Sequence, residues 1–377
     1  MLLTYPTNTP VRVPCCMLVT AVLMAALCSA TPSLYGQPTS TDDAEAKAIL
    51  TSAYQTSKNK PLTVEHCSQI IALCAQAQQR TQTPALTAYI NQLTAWAHNK
   101  RGEQYLQLAG ENEDSNDTET AQAYEAQAFQ EFATAIAKDK QLWKAYHNRG
   151  VCLAIAGKAP EAIADFSQTI QLKKDYANAW FNRAELYLDL QNYPAAVTDY
   201  TEVLKLDNTD VTALIARGDA QLMLRKHQPA IADYTAAIKL MPDLATPLIQ
   251  RGTAYRELGQ WEAARTDYNK ALKMDMTSAV AYQHTAWLLA TCPEADIRNA
   301  ELAVLAAEKA KTLTPTPDWM LLDTLAAAYA NANRFDDAVQ QLTAAISQAP
   351  AAEKQALERR LTLYQAGKPF RDAVVNP

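Results

Sequence analysis

The sequence repeats itself every 34 residues. Tyr146, Trp180, Leu214, Leu248 and Tyr282 stand 34 apart, as do Gly150, Ala184, Gly218, Gly252 and Ala286, and as do Ala162, Ala196, Ala230 and Ala264. Such a period means that one supersecondary unit is stacked on copies of itself, because a single unit cannot bury its own apolar face. Large residues fall at helical intervals on either side of a short break: Trp180, Ala184, Tyr187 and Leu188 form one stripe, and Ala196, Val197, Tyr200, Val203 and Leu204 another. Pro160 and Pro194 stand where the second helix should begin, a position whose missing amide hydrogen costs nothing. With nine glycines in 377 residues and no sustained strand-like alternation, the chain predicts an all-α solenoid of helix-turn-helix repeats.

The pattern resembles the tetratricopeptide repeat (TPR), which places a bulky residue at position 4, small residues at 8 and 27, an aromatic near 11, Ala at 20, an aromatic at 24 and often Pro at 32. Counted from Trp143, Ala177, Val211 and Ala245, four units covering 143–278 fit without a gap, with Phe166, Tyr200, Tyr234 and Tyr268 at position 24. The resemblance implies a right-handed superhelix. Around this core the units are irregular. Residues 95–142 fit with Gly102, Tyr105, Ala128, Phe132 and Ala135, provided that about fourteen residues are inserted, and the polar run Glu111 to Thr120 reads as an exposed acidic loop. Residues 279–318 form a unit whose second helix, with Ala303, Ala307 and Ala310, arrives about five residues late. A last unit spans 319–352, and 353–377 reads as a capping helix and tail, with Leu357, Leu361 and Tyr364 covering the final repeat and Gly367 and Pro369 as the stop. Residues 31–94 read as an N-terminal helical region in which Val64 to Gln79 has the small residues of a degenerate repeat.

The regular polar feature is a charge pair. Arg149, Arg183, Arg217 and Arg251 occupy position 7 and Asp165, Asp199, Asp233 and Asp267 position 23, with Arg101 and Glu131 upstream. Position 7 lies on the first helix and position 23 on the second, so each pair is expected to bridge the two as a structural ion pair. The planar fork of arginine explains why lysine never appears.

No histidine recurs with the repeat or stands near a Ser and Asp in a nucleophilic motif, and no Gly-rich phosphate loop is present. His66, Cys67 and Cys74 fall short of the four ligands of structural zinc. We therefore expect no enzyme, no cofactor and no metal. The net charge of −6, without a basic cluster longer than Lys173-Lys174 or Arg359-Arg360, argues against nucleic acid.

Function then rests on surface. In the family that the chain resembles, first helices line a concave groove through positions 2, 5, 9 and 12. Here these hold Lys144 and His147; Phe181, Glu185 and Leu188; Ile215, Asp219 and Leu222; Ile249, Thr253 and Arg256; and Gln283, Trp287 and Ala290. Phe181, Ile215 and Ile249 stand out as an apolar row, with Glu185, Asp219, Leu222, His147 and Lys144 beside it. The expectation is a scaffold that binds a peptide segment or partner protein there, with Phe181→Glu and Ile215→Glu together abolishing binding at little cost in helicity. Some relatives clamp a carboxylate with Lys at position 5 and Asn at 6 and 9; this chain keeps Asn148 and Asn182 at position 6 alone. The alternative is a self-assembly module acting as a homo-oligomer.

From Cys15 to Cys28 the chain is apolar apart from Thr20, follows Arg12 and precedes Ser29-Ala30-Thr31. This is short for a membrane span and suits a secretory signal peptide over 1–30, which makes the protein exported, periplasmic or extracellular and of bacterial type. An uncleaved segment anchoring it to a membrane is the alternative. Cys67, Cys74, Cys152 and Cys292 would remain, too far apart along the repeats for disulfides.

Overall fold

A computed structural model describes residues 41–114 and 117–373. The signal peptide expected over 1–30 lies outside the described residues. These residues form seventeen helices and no strand, and no helix among them is long and apolar enough to cross a membrane. The chain divides after Leu206 into two compact units.

The unit ending at Leu206 contains α1 (Thr41–Ser57), α2 (Val64–Arg80), α3 (Pro84–Asp114), α4 (Thr118–Lys138), α5 (Trp143–Ile155), α6 (Ala159–Leu172), α7 (Ala177–Asp189) and α8 (Tyr193–Leu206). Successive helices pair as hairpins, α1 with α2 through α7 with α8. The first pair closes over Leu50, Ile70, Cys74 and Ala77, which pack with Leu86 and Ile90 of α3. The boundary expected between residues 94 and 95 falls inside α3.

The exposed loop expected from Glu111 to Thr120 is a correction. Helix α3 runs to Asp114, and α4 starts at Thr118 with the Asp117 carboxylate accepting from the Thr120 amide at 3.2 Å. The extra residues lengthen both helices, to 31 and 21 residues against 13 or 14 in α5 to α8. A polar run is as compatible with a solvated helix face as with a loop, and stacking of Tyr105 on Tyr124, 6.0 Å between centroids, ties the extended ends together.

The unit from Asp207 onward contains α9 (Val211–Met223), α10 (His227–Leu240), α11 (Thr246–Glu257), α12 (Trp261–Met274), α13 (Ala279–Thr291), α14 (Ala300–Leu313), α15 (Trp319–Asn331), α16 (Phe335–Gln348) and α17 (Ala351–Gln365). The late second helix of the irregular repeat is α14, reached through a loop over 292–299. Leu357 and Tyr364 of α17 are fully buried and Leu361 packs beside them on the cluster built by α15 and α16, so α17 covers the last repeat.

Within the hairpins, small residues face aromatics. Ala162, Ala196, Ala230 and Ala264 are fully buried in their units, as are Phe166, Tyr200, Tyr234 and Tyr268, each worth roughly 1.5–3 kcal/mol against exposure. A Cβ added to Gly218 would come within 2.6 Å of the Tyr234 ring, so the ring occupies the space that a side chain at position 8 would take.

The turn inside five of the hairpins has a backbone cause. Gly157 and Gln191 in one unit, and Arg225, Gly259 and Asn333 in the other, adopt φ between 57° and 72°. The following amide then reaches back to the helix, as with Asn192 N–H to the Tyr187 carbonyl at 2.7 Å and Arg334 N–H to the Tyr329 carbonyl at 2.8 Å. Gln191 and Arg225 enter the left-handed region without being glycine, so composition alone understates how regular these turns are.

Candidate functional site

All the expected charge pairs form within their hairpins. Arg149 meets Asp165 through Nε and Nη2 at 2.7 and 2.8 Å, and Arg183 meets Asp199 at 2.7 and 2.9 Å. Arg217 meets Asp233 at 2.8 and 2.7 Å, and Arg251 meets Asp267 at 2.8 Å twice. Upstream, Arg101 and Glu131 repeat the fork at 2.9 and 2.8 Å. These pairs join helix to helix and leave the four aspartates buried and Glu131 half-buried, which suits a structural rung. A further rung was not expected: Arg360 of α17 forks onto Asp323 of α15 at 3.1 and 2.8 Å. Neither residue occupies position 7 or 23, so the period could not point to it.

The apolar row is less open than expected. Phe181 is 2% exposed and lies edge-on to Tyr200, 5.6 Å between centroids, while Ile249 and Leu222 are also buried; Ile215 is half-buried. Phe181 thus packs within its own hairpin, while Ile249 joins a core cluster with residues of α12 and α13. His147 is buried against the rings of Phe166 and Tyr176, at 5.5 and 5.0 Å. Lys144 is half-buried, with its ammonium 5.5 Å from the Trp143 ring centroid.

Glu185 and Asp219 also differ from expectation, being buried hydroxyl acceptors and not groove acids. The Tyr200 hydroxyl donates to Glu185, and the Tyr234 hydroxyl to Asp219 Oδ1 at 2.6 Å. In the next repeat the Tyr268 hydroxyl lies 3.2 Å from Thr253 Oγ1. A signal was present in the sequence: position 9 carries an oxygen where position 24 is Tyr, and is Val151 where position 24 is Phe166. Burying a tyrosine hydroxyl requires a partner.

One point on the first-helix face of the 207–377 unit gathers donors. Arg256 Nη1 of α11, and Trp287 Nε1 and Thr291 Oγ1 of α13, each lie 3.1 Å from Asp372 Oδ2, and the Asp372 amide donates to the Thr291 carbonyl at 2.8 Å. Burial works against the Arg256 charge, but Asp372, Tyr268 and Glu257 outweigh it and the guanidinium pKa is raised. Arg256 and Trp287 hold positions 12 and 9 of their repeats, two of those expected to line the groove.

Residues 177–210 and 245–278 match family models described as tetratricopeptide repeat, each spanning one of the 34-residue periods. The chain carries tetratricopeptide repeats. Among solved structures, this TPR chain is similar to a tetratricopeptide repeat protein from Parabacteroides merdae, at 17% identity over 70% of this chain and 98% of that one, with a TM-score of 0.53; the likeness is one of fold. It is also similar to YrrB, described as a TPR protein with an unusual peptide-binding site (19% identity, 51% and 95% covered, TM-score 0.43), and to yeast Tom70 (15%, 89% and 67%, 0.44). No curated protein sequence matches the chain.

Among the described residues no group of three or more His, Cys, Asp and Glu side chains could hold a metal ion. His66 faces Thr63 in the cap of α2. Cys67, Cys74, Cys152 and Cys292 are buried free thiols, and burial pushes Cys67 up to about 11 and Cys152 to about 12.

The donor cluster sits over a buried histidine, and that gives a pH prediction. His284 stacks on Tyr268 at 5.7 Å, and burial first, then the Arg256 charge, hold its pKa down at about 3. The unfolded chain therefore binds the extra proton between pH 6.5 and 3, so stability present above pH 6.5 is lost as pH falls. Asp323, which burial holds up at about 6, works in the opposite sense. The expected observable is therefore a difference: from pH 7.5 to pH 5 the wild type should lose about 2 kcal/mol more than His284→Gln, measured by urea unfolding. Equal losses would mean that the imidazole is not buried in its neutral form.

Proposed function

We propose that the protein is a non-enzymatic TPR scaffold that binds a peptide segment of a partner protein on its first-helix face, in an exported, extracytoplasmic setting. TPR proteins in general bind protein or peptide partners, and the observation that carries the reading here is the convergence of Arg256, Trp287 and Thr291 donors on one carboxylate. Buried donors preset around an acceptor position are what orients a bound segment, since they need no reorganisation when it arrives. The apolar row is a poor anchor, because Phe181 and Ile249 are buried in the packed core of the repeats.

The test is capture with the full chain as bait, beside Arg256→Ala verified as folded by circular dichroism. A partner retained by the wild type and lost with the variant supports the reading. The same set on both baits removes it, and recovery of the protein itself alone favours self-assembly. Intact mass of the exported protein is expected to begin near Thr31; a retained Met1 would rule out a cleaved leader.

A further inference from the structure

The residues after α17 turn back along the first-helix face of their own unit, and three consecutive side chains are each received there. The Phe370 ring lies 6.0 Å from Trp287, with the Arg360 guanidinium 5.3 and 5.6 Å from the two ring centroids. Arg371 donates from Nη1 to the Ala290 carbonyl and from Nη2 to Asn331 Oδ1, both at 2.9 Å. Asp372 completes the series on Arg256, Trp287 and Thr291. The receiving groups come from α11, α13, α15 and α17, and the segment itself has no helix or strand.

From this geometry we infer that the face holds a binding site for an extended peptide with an aromatic, a basic and an acidic residue in that order, and that Phe370–Asp372 occupies it in cis until such a peptide displaces it. The inference rests on the scaffold reading above and names its ligand.

The chemistry of the receiving groups sets the order. If the segment left, Arg256 would keep a buried charge without its main counter-charge, so whatever replaces the segment must bring a carboxylate to that point. The Trp287 face next to it takes an aromatic two residues earlier, and the carbonyl of Ala290 with Asn331 takes cationic or amide donors between them. Phe370 packs against the same cluster that Leu357, Leu361 and Tyr364 of α17 cover, but the polar contacts of Arg371 and Asp372 add nothing to an apolar cover. The segment is half-buried at Phe370, Arg371 and Asp372 and is held mostly by side-chain contacts, which a free peptide can copy one for one. A tethered copy has a high effective concentration, so it suppresses the apparent affinity for a free ligand in proportion to its occupancy.

The test uses a fluorescent peptide with the sequence of residues 368–373, Lys-Pro-Phe-Arg-Asp-Ala, titrated by anisotropy with three full-length chains. Wild type should bind weakly, Asp372→Ala at least tenfold more tightly, and Asp372→Ala with Arg256→Ala no more tightly than wild type. A peptide in which Asp is replaced by Asn should lose the gain. Hydrogen exchange on the unaltered wild type supplies a second readout: saturating peptide should expose the Asp372 amide, which is otherwise bonded to Thr291. Equal affinity of wild type and Asp372→Ala, or a protected Asp372 amide at saturation, would overturn the inference. So would a wild-type dimer that becomes monomeric on Asp372→Ala, since a second copy would then supply the segment. Absence of peptide binding by any chain removes this site while the capture experiment still judges the scaffold, so the two failures are separable.

Discussion

Phe181→Glu should unfold the repeats in which it lies. Its ring is 2% exposed and edge-on to Tyr200, so removing it forfeits the contacts of a filled position, about 3–5 kcal/mol for a large aromatic. The carboxylate put in its place would be desolvated, and Glu185, one helical turn away on α7, already occupies the Tyr200 hydroxyl. Burying that charge adds several kcal/mol. A total of about 5 kcal/mol or more rivals the whole stability of a typical domain. Far-UV circular dichroism at 25 °C should therefore show lost helicity, and urea unfolding a shifted or missing transition. Ile215→Glu, at a half-buried position, should cost about 1–2 kcal/mol and keep its helices. A fully helical Phe181→Glu would restore Phe181 as a groove residue, because only a side chain free to swing into solvent could accept the charge.

The contrast between these positions shows what the sequence could and could not disclose. Recurrence at 34 residues reports packing, since Gly218 and Tyr234 must repeat together if a ring is to fill the space above a missing side chain. Position 7 and position 23 were legible for the same reason: a fork and a carboxylate recur only if they meet in every hairpin. Solvent exposure is not periodic in that way. Phe181 and Ile215 share position 5, and the tyrosine at position 24 of each repeat donates to a carboxylate at position 9, yet one is buried and the other half-buried. The polar run around Glu111 gave no length-specific signal, and helix extension absorbed it. The Asp372 contacts lay beyond any repeat logic. They join Arg256 and Trp287 to a residue more than eighty positions away, outside the period, and only the fold of the returning segment brings them together.

Arg183→Ala should be the costliest removal of a single rung, with a pH signature that separates charge from packing. Its guanidinium bonds both Asp199 oxygens, donates to Ser167 Oγ at 2.8 Å, and lies 5.1 Å from the Trp180 ring centroid. Burial works to lower the Arg183 pKa, but the Asp199 bonds and charge outweigh it and the pKa is raised; burial also raises Asp199, and Arg183 offsets this only in part. The Asp199 side chain is 3% exposed, so without its partner it is a desolvated carboxylate, and breaking such a pair costs about 3–5 kcal/mol. With the folded-state pKa of Asp199 raised further in the variant, protonation relieves the penalty. Stability lost at high pH is therefore recovered as pH falls through that raised value toward the unfolded one. Urea unfolding should give a loss of about 3 kcal/mol or more at pH 8 and a smaller loss at pH 5. Adding Asp199→Asn to Arg183→Ala should recover part of the loss at pH 8, because a neutral amide costs less to bury than an unpaired charge. A pH-independent loss, unaltered by the second change, would assign the rung's contribution to packing against Trp180 and Tyr187 instead of to the ion pair.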